Sequence, residues 1–475
     1  MYILNFELYN IYVFIELYIT RMLDFSFIYL NKSYVEVCDN AINNEINSNE
    51  DNKQNIIENE TICEKFKGLT TNVRYEIAKF KQNVCFQDKL DIASDGYLLG
   101  KHYKFMVEFA DSEKKDYNYI KLKYKIDFSN ILWFSYRRNF PGLLSLTPTT
   151  SVSYTNDVMW GCMIRSAQMI IAQCLQKSKI KEDDIIALFL DKERDEYLAP
   201  FSIQTISKYI YANYNILPVN WLRATEVLNT LDYINTNIYK NSCFKMIVFV
   251  DGLIFIKDIL DLMVNDDRTI NTFEDFEIID EDLINYKLQL FGNLGLSSLV
   301  DETTSVDEIN IKLNIERLLQ SNWEQPLLLS LVTSFNKLNN YDSRVPKLQY
   351  KFIKELLSLK QFIGMLGGYK GRAYYIVGYI DDNLIYIDPH YVQDAINRDE
   401  ITTKGNTYHC SNLNYLHYKN LDSSITFCFL IKNECDFRHF IKKYKCICNM
   451  QESVLGLELY KDTCNILSES ITEYE

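Results

Sequence analysis

Residues 160–165 read Trp-Gly-Cys-Met-Ile-Arg and open a stretch with the apolar period of an α-helix. Apolar side chains stand at positions 163, 167, 170, 171, 174 and 175, which predicts a helix beginning near Cys162. The free N–H groups and the positive dipole end of a helix favour a thiolate in its first turn. An isolated cysteine at such a position is more often a small buried hydrophobe, so a nucleophile needs partners elsewhere in the chain.

Those partners are offered by residues 385–390, which read Ile-Tyr-Ile-Asp-Pro-His and close a strand pattern. Pro389 fixes its own φ and keeps Asp388 extended, so Asp388 and His390 are presented together at the end of a strand. A carboxylate that accepts the Nδ1–H of an imidazole leaves Nε2 facing a thiol. With Cys162, the pair supplies the three parts of a cysteine hydrolase.

Composition and charge exclude several other classes of protein. The net charge is −14, and most of it lies in residues 38–63 and 264–282, so no basic face indicates a nucleic-acid partner. The twelve cysteines show neither a disulfide framework nor metal-ligand spacing. We therefore expect no metal, no cofactor, reduced thiols and a cytoplasmic location. The first thirty residues resemble neither a signal peptide nor a membrane-spanning helix.

Helical and strand patterns mix along the chain without regular alternation, which favours an α+β fold. Asp251-Gly252 is a hairpin-type turn signal inside a strand pattern, and residues 381–383 are a second turn signal. Helices are also predicted at 182–190 and 436–444, and strands at 246–256, 327–332, 373–380, 384–387 and 425–431.

Four segments follow from these patterns. Residues 1–65 are interpreted as an N-terminal extension that is partly disordered at its Asn/Glu-rich part, residues 38–62. Residues 66–445 form the catalytic domain, which an acidic insertion at 263–312 interrupts. Residues 446–475 form a C-terminal tail.

Several blocks in the same order resemble the autophagin family, the autophagy-related protein 4 cysteine proteases. Residues 136–141, Tyr-Arg-Arg-Asn-Phe-Pro, resemble the family's Y-R-[KR]-[ND]-F-P block. Residues 160–169 resemble its W-G-C-M-[LI]-R-x-x-Q-M nucleophile helix. The other blocks are Ala-Pro-Phe-Ser-Ile at 199–203, a tryptophan at 221, Gly-Gly at 367–368, residues 373–379, Tyr-Ile-Asp-Pro-His at 386–390 and Tyr-His-Cys at 408–410.

The resemblance implies a papain-like cysteine protease fold with a small inserted subdomain and disordered insertions. It implies that Cys162 is the nucleophile, His390 the general base and acid, and Asp388 the residue that orients it. Tyr136 would contribute to the oxyanion hole, and Trp160 and Trp221 would wall a channel that admits only glycine.

The implied substrates are ubiquitin-like modifiers of the autophagy-related protein 8 type. The enzyme would process their C-terminus after glycine and would also release them from phosphatidylethanolamine at membrane surfaces. We expect a monomer.

The sequence departs from the family pattern directly before the nucleophile block and at two later positions. Met159 stands where the family usually has glycine, and Gln204 and Tyr374 replace frequent histidines. Two alternatives remain open at this stage: a protease specific for the ubiquitin-fold modifier, and a non-catalytic scaffold that binds the autophagy modifier.

Overall fold

The computed structural model describes residues 95–105, 114–143, 154–217, 220–240, 242–263, 323–335, 344–451 and 453–458. All of them belong to the unit Lys81–Glu475. The predicted extension at 1–65 and the acidic insertion beyond Met263 lie outside the described residues, so those boundaries stay predictions.

Nine α-helices and thirteen strands fall within the described residues. The helices are α1 Lys114–Ser129, α2 Cys162–Lys177, α3 Glu182–Ala187, α4 Ile203–Tyr214, α5 Ala224–Asn237, α6 Ile256–Met263, α7 Tyr350–Leu357, α8 Ile401–Lys404 and α9 Glu434–Cys448. The strands are β1 Asp95–Leu98, β2 Lys101–Lys104, β3 Tyr136–Arg138, β4 Lys245–Phe249, β5 Leu253–Phe255, β6 Leu327–Ser334, β7 Phe362–Tyr369, β8 Arg372–Ile380, β9 Asn383–Ile387, β10 Val392–Asp394, β11 Asn414–His417, β12 Ser424–Ile431 and β13 Gly456–Glu458.

The main sheet has the strand order β11-β9-β8-β7-β12-β6-β4. Its neighbours are antiparallel except for β4 and β6, which are parallel. β1 pairs with the second half of β8, and β2 pairs with β1. Most side chains of β7, β8 and β12 are buried, because helices cover both faces of the sheet. The mixture of helices and a largely antiparallel sheet confirms the predicted α+β class.

Helix α2 packs against β7 and β8 on one face of the sheet, and α5 packs against α2. Thirteen of the sixteen residues of α2 are buried, so the helix lies inside the protein with almost every side chain covered. The apolar period predicted this helix, and the structure confirms it. Helices α7 and α9 cover the opposite face of the sheet, where they pack against β7, β8 and β12. The start of α2 is therefore held against the sheet.

The turn predicted at Asp251-Gly252 is present, but the strands around it are not a hairpin. Both residues have left-handed backbone conformations, with φ of 59° and 74°. β4 pairs with β6 in the main sheet, whereas β5 pairs with β13 in a separate two-stranded sheet. The Gly252 N–H donates to the carbonyl of Val332 in β6 at 2.9 Å. The expected hairpin is wrong because the long, buried β6 supplies the hydrogen-bond partners for β4.

The last described elements cross the boundary proposed at residue 446. Helix α9 continues to Cys448, and β13 returns the chain to pair with β5. Among the described helices, none combines the length and the apolar character that crossing a bilayer requires.

Candidate active site

Cys162 is the first residue of α2. The Gly161 N–H donates to the Asp157 carbonyl at 2.9 Å, and the Gly161 carbonyl accepts from the Arg165 N–H at 2.9 Å. These bonds hold the turn that leads into the helix. The thiol side chain is almost fully buried, and it lies at the positive end of the helix dipole.

His390 and Asp388 lie directly after β9 and are hydrogen-bonded to each other. Asp388 Oδ1 accepts from His390 Nδ1 at 2.6 Å and from the His390 backbone N–H at 2.9 Å. Since a carboxylate only accepts, Nδ1 carries the proton and Nε2 is the nitrogen left for the thiol. A hydrogen bond between His390 and Cys162 completes the chain of three side chains. The structure thus brings together Cys162, His390 and Asp388.

The segment before β3 fixes the backbone around this pair. The Trp133 indole N–H donates to the Asp388 carbonyl at 2.7 Å, and the Tyr136 N–H donates to the Pro389 carbonyl at 2.8 Å. The short strand β3 then pairs in parallel with β10. These contacts join parts of the chain about 250 residues apart, so they hold the strand-end carboxylate and imidazole in place.

Cys162, His390 and Asp388 shift one another's pKa values. Burial alone would raise the pKa of the Cys162 thiol, but the hydrogen bond and charge of His390, the Ala373 backbone N–H and the Tyr136 hydroxyl lower it overall. Burial alone would lower the pKa of His390, yet Asp388 and Cys162 raise it to about 9. The pKa of Asp388 is lowered overall by His390, against the opposing effect of burial. The arrangement favours a thiolate–imidazolium pair near neutral pH.

Tyr136 is fully buried and its hydroxyl is hydrogen-bonded to the Cys162 sulfur. Burial, followed by the charges of Cys162 and Asp157, raises the pKa of this hydroxyl well above its ordinary value. The phenol therefore stays protonated and is a hydrogen-bond donor beside the sulfur. This is the chemistry expected of an oxyanion contact.

A cleft of about 630 Å³ opens beside the start of α2. It is lined by Met163, Trp221, Ala373, the turn at 367–372 and residues from β6 and β12, among others. Trp221 is 57% exposed, so its ring is available to a ligand in the cleft. Trp160 is partly buried, its indole N–H donates to the Asn156 carbonyl at 3.2 Å, and it is not among the cleft-lining residues. The channel roles of both tryptophans stay predictions.

Sequence reasoning missed a buried ion cluster behind the nucleophile. The Arg165 guanidinium contacts Asp157 Oδ2 at 2.7 Å and Asp191 Oδ2 at 2.8 Å, and all three side chains are at most 1% exposed. The two carboxylates raise the pKa of Arg165 although burial opposes them, so the guanidinium stays charged. Asp157 Oδ1 also accepts from the Arg137 N–H at 2.6 Å. A charged residue within the apolar period of α2 is the signal that could have found this cluster.

Tyr374, one of the departures from the family pattern, packs on the catalytic imidazole. Its ring centroid lies 5.4 Å from that of His390 at an interplanar angle of 72°. The Tyr136 ring contacts His390 at the same centroid distance and at 81°. The rings of Tyr136 and Tyr374 are each roughly perpendicular to the His390 imidazole, and together they confine it. Within the described residues, no group of three or more His, Cys, Asp or Glu side chains is placed to hold a metal ion.

Comparisons with known proteins agree with this geometry. The model of the peptidase C54 catalytic domain matches residues 121–443. Cysteine protease ATG4a of Arabidopsis thaliana is 27% identical over 386 residues, which cover 77% of this chain and 71% of the relative. Cysteine protease atg4 of Dictyostelium discoideum is 23% identical over 420 residues, with coverages of 70% and 53%. Cysteine protease ATG4A of Gallus gallus is 24% identical over 356 residues, with coverages of 71% and 82%.

The family match spans more than half of the chain and contains the helix-start cysteine and the strand-end Asp-Pro-His. A buried cysteine at the start of a helix, packed against a sheet that carries the histidine, is the papain-like arrangement expected from the resemblance. The chain belongs to the peptidase C54 family, the autophagin cysteine proteases.

Proposed function

We propose that this protease cleaves ubiquitin-like modifiers of the autophagy-related protein 8 type after their C-terminal glycine, both from peptide extensions and from phosphatidylethanolamine. The observation that carries the proposal is the hydrogen-bonded chain Cys162–His390–Asp388 in a member of the C54 family. Cys162 is the nucleophile, His390 the proton carrier and Asp388 the group that orients it.

The chemistry is the same for both kinds of substrate. The Cys162 thiolate attacks the glycyl carbonyl carbon, and the negative charge that develops on the carbonyl oxygen is stabilised by the Tyr136 hydroxyl and the Cys162 backbone N–H. His390 Nε2 gives its proton to the leaving amine as the C–N bond breaks, which leaves a thioester on Cys162. His390 then removes a proton from water, the water oxygen attacks the thioester, and the modifier leaves with a free carboxylate.

The leaving amine distinguishes the two activities. In processing it is the amino group of the next residue, and in deconjugation it is the amino group of phosphatidylethanolamine. Both amines need one proton from His390, so one site serves both reactions. Trp221, exposed at the edge of the cleft beside Met163, supports a channel role in which a chain without side chains is preferred.

Neither alternative is favoured. The similar proteins carry ATG4 names, which argues against a protease for the ubiquitin-fold modifier. The intact contacts among the three catalytic side chains argue against a non-catalytic scaffold.

We extend the proposal to the enzyme's state and surroundings. Cys162, His390 and Asp388 all come from one chain, which supports a monomer that needs no second copy to complete its site. The net charge of −14 supports the absence of a nucleic-acid partner. All eight cysteines within the described residues are free, which supports a reducing, cytoplasmic environment.

The deciding experiment compares two fusion proteins as substrates. The purified chain is incubated with an autophagy-related protein 8 type modifier carrying a C-terminal extension, and separately with a ubiquitin-fold modifier fusion. Intact mass should show cleavage of the first alone, directly after glycine, and none with Cys162→Ala. Cleavage of only the second fusion would make the chain a protease for the ubiquitin-fold modifier. Binding of the first fusion without cleavage would favour the non-catalytic scaffold.

The oxyanion role of Tyr136 has a matched control. Tyr136→Phe should lower kcat by roughly 10²-fold or more, because one donor to the developing oxyanion is lost. Tyr375 is also fully buried, and its hydroxyl donates to the Ile363 carbonyl away from the site. Tyr375→Phe should leave kcat within a few-fold of the parent, and equal effects of the two substitutions would remove Tyr136 from the mechanism.

A further inference from the structure

Helix α1 has apolar side chains on the side that faces away from the protein. Tyr124 and Phe128 are fully buried and attach the helix to the core. Tyr119, Leu122 and Ile126 are 61%, 57% and 48% exposed. At roughly 100° per residue, these three lie within about 60° of one another and nearly opposite Tyr124 and Phe128. The helix therefore carries a second apolar line that no described part of the chain covers.

Lysines flank this outward line on the same helix. Lys123 and Lys125 are exposed, and at roughly 100° per residue they lie on the two sides of the line. The Lys123 ammonium lies 5.9 Å from the centroid of the Tyr119 ring, so its stem runs along the apolar surface while the charge stays in water. A single exposed leucine or tyrosine is ordinary on a protein surface. Three in a line at helical spacing, bordered by lysines, is the pattern of a helix that lies in a membrane interface.

Further basic residues from neighbouring elements meet the C-terminal end of α1. Lys101 of β2 forms an ion pair with Asp127, which also accepts from the Tyr103 hydroxyl. Lys177 is the last residue of α2, and the neighbouring Gln176 amide donates to the Asn130 carbonyl just beyond α1 at 3.0 Å. The carboxylate of Asp127 is thus already engaged by Lys101 and Tyr103, and Lys177 adds another ammonium group on an element that contacts this end of the helix.

We propose that Tyr119, Leu122 and Ile126, with Lys123 and Lys125, form a face that docks on the surface of an anionic bilayer. This inference rests on the proposed release of modifiers from phosphatidylethanolamine, which takes place at a membrane. The apolar line enters the boundary between headgroups and acyl chains, and the lysines contact anionic headgroups. Three residues separate the end of α1 at Ser129 from Trp133, whose indole holds the Asp388 carbonyl. The docking helix is therefore close in the chain to the catalytic strand end.

Binding of the full-length chain to vesicles tests the face directly. Co-sedimentation with phosphatidylcholine vesicles is compared with co-sedimentation with vesicles that also contain phosphatidylserine. The parent chain should bind the second kind more tightly, and added salt should weaken this binding. The double variant Leu122→Ser, Ile126→Ser should bind about tenfold or more weakly, because it loses two apolar side chains from the interface.

Matched controls separate this face from the rest of the surface. Leu348 is 60% exposed outside α1, so Leu348→Ser should leave vesicle binding unchanged. The double charge reversal Lys123→Glu, Lys125→Glu should weaken binding to anionic vesicles about tenfold or more. The same reversal on α9, Lys442→Glu with Lys443→Glu, should weaken it far less. All four lysines are exposed, so both charge-reversal variants should keep the thermal unfolding temperature of the parent.

Activity on a soluble and on a vesicle-anchored substrate tests the docking face separately from the proposed function. Cleavage of a soluble extended modifier should be equal for the parent and the Leu122→Ser, Ile126→Ser variant, while release of a vesicle-anchored conjugate should slow in the variant. No cleavage by the parent would overturn the proposed function. Normal soluble cleavage with no preference for anionic vesicles, or with equal binding of the variant, would overturn the docking face alone. Slower cleavage of the soluble modifier by the variant would make this a surface for the modifier rather than for lipid.

Discussion

The carboxylate of Asp157 occupies the space that a side chain at residue 161 would need. A Cβ placed on Gly161 would lie 2.3 Å from Asp157 Oδ2, well inside van der Waals contact. The same carboxylate binds Arg165 one turn into α2 and accepts from the Arg137 N–H. The absence of a side chain at Gly161 therefore allows a buried acid to pack under the start of the nucleophile helix.

Gly161→Ala should therefore destabilise the protein and displace Cys162. The added methyl must move Asp157 or the helix start, which costs on the order of 1–3 kcal/mol of unfolding free energy. Urea unfolding and modifier cleavage would both report the change. Gly405→Ala is the control, because its Cβ would meet only Ile186 Cδ1 at 3.8 Å and its φ is −58°. Equal effects of the two substitutions would contradict the close contact with Asp157.

The buried Arg165 cluster should contribute far more to folding than an exposed ion pair. Arg165→Ala leaves two buried carboxylates without their partner, which should cost about 3–5 kcal/mol. Arg138 pairs with Asp394 at 2.8 Å, but the two side chains are 54% and 60% exposed. Arg138→Ala should cost less than about 1 kcal/mol. Denaturant titration of both variants gives their free energies of unfolding. Similar losses of unfolding free energy in the two variants would argue against a large stabilising contribution from the Arg165 cluster.

Met159 occupies a backbone conformation that suits glycine. Its φ is +76°, a region that costs an ordinary side chain about 1–2 kcal/mol. Met159→Gly removes this strain but makes the unfolded chain more flexible, so we expect a net stabilisation of about 0.5–1 kcal/mol. Met450 is a control, since it has similar exposure and is not among the residues with positive φ. A shift in the unfolding midpoint for Met450→Gly equal to that for Met159→Gly would refute the strain.

The reactivity of Cys162 should depend on His390 in a pH-dependent manner. Because the pKa of the thiol is lowered and that of His390 is raised to about 9, alkylation by iodoacetamide should have its midpoint below that of an ordinary cysteine. In His390→Ala the two largest lowering effects, the hydrogen bond and the charge of His390, are lost while burial remains, so the midpoint should rise clearly above that of the parent. Peptide mass mapping separates Cys162 from the exposed Cys435 and Cys446. An unchanged midpoint would show that the imidazole does not set the thiolate population.

Tyr374 should act as a positioning residue for His390 through its ring. Tyr374→Phe keeps the perpendicular ring contact and should leave kcat/KM within about twofold. Tyr374→Leu removes an aromatic contact worth about 0.5–1.5 kcal/mol, so kcat/KM should fall roughly threefold to tenfold. The pH profile of kcat/KM should shift in the leucine variant, since the environment of the imidazole has changed. Equal activities and profiles for the two variants would assign the tyrosine no part in orienting His390.

The sequence by itself determined the local parts of this site. The apolar period of residues 163–175 gave α2 with Cys162 at its start, because a helix is held by bonds between residues four apart. The turn at residues 381–383 and the strands on either side were also found, since turn chemistry is local. Asp388 and His390 lie two residues apart across Pro389, so their hydrogen bond is a local feature as well.

The tertiary structure alone decided which distant segments meet. β4 and β5 flank a correctly predicted turn but pair with β6 and β13, since a strand takes the partner that satisfies its backbone in the buried sheet. Tyr136 reaches the Cys162 sulfur because β3 pairs with β10, and Arg165 is tolerated inside because Asp157 and Asp191 converge on it. Such contacts depend on competition among many long-range arrangements. Period and turn signals carry no information about that competition, because they report only on residues close in the chain.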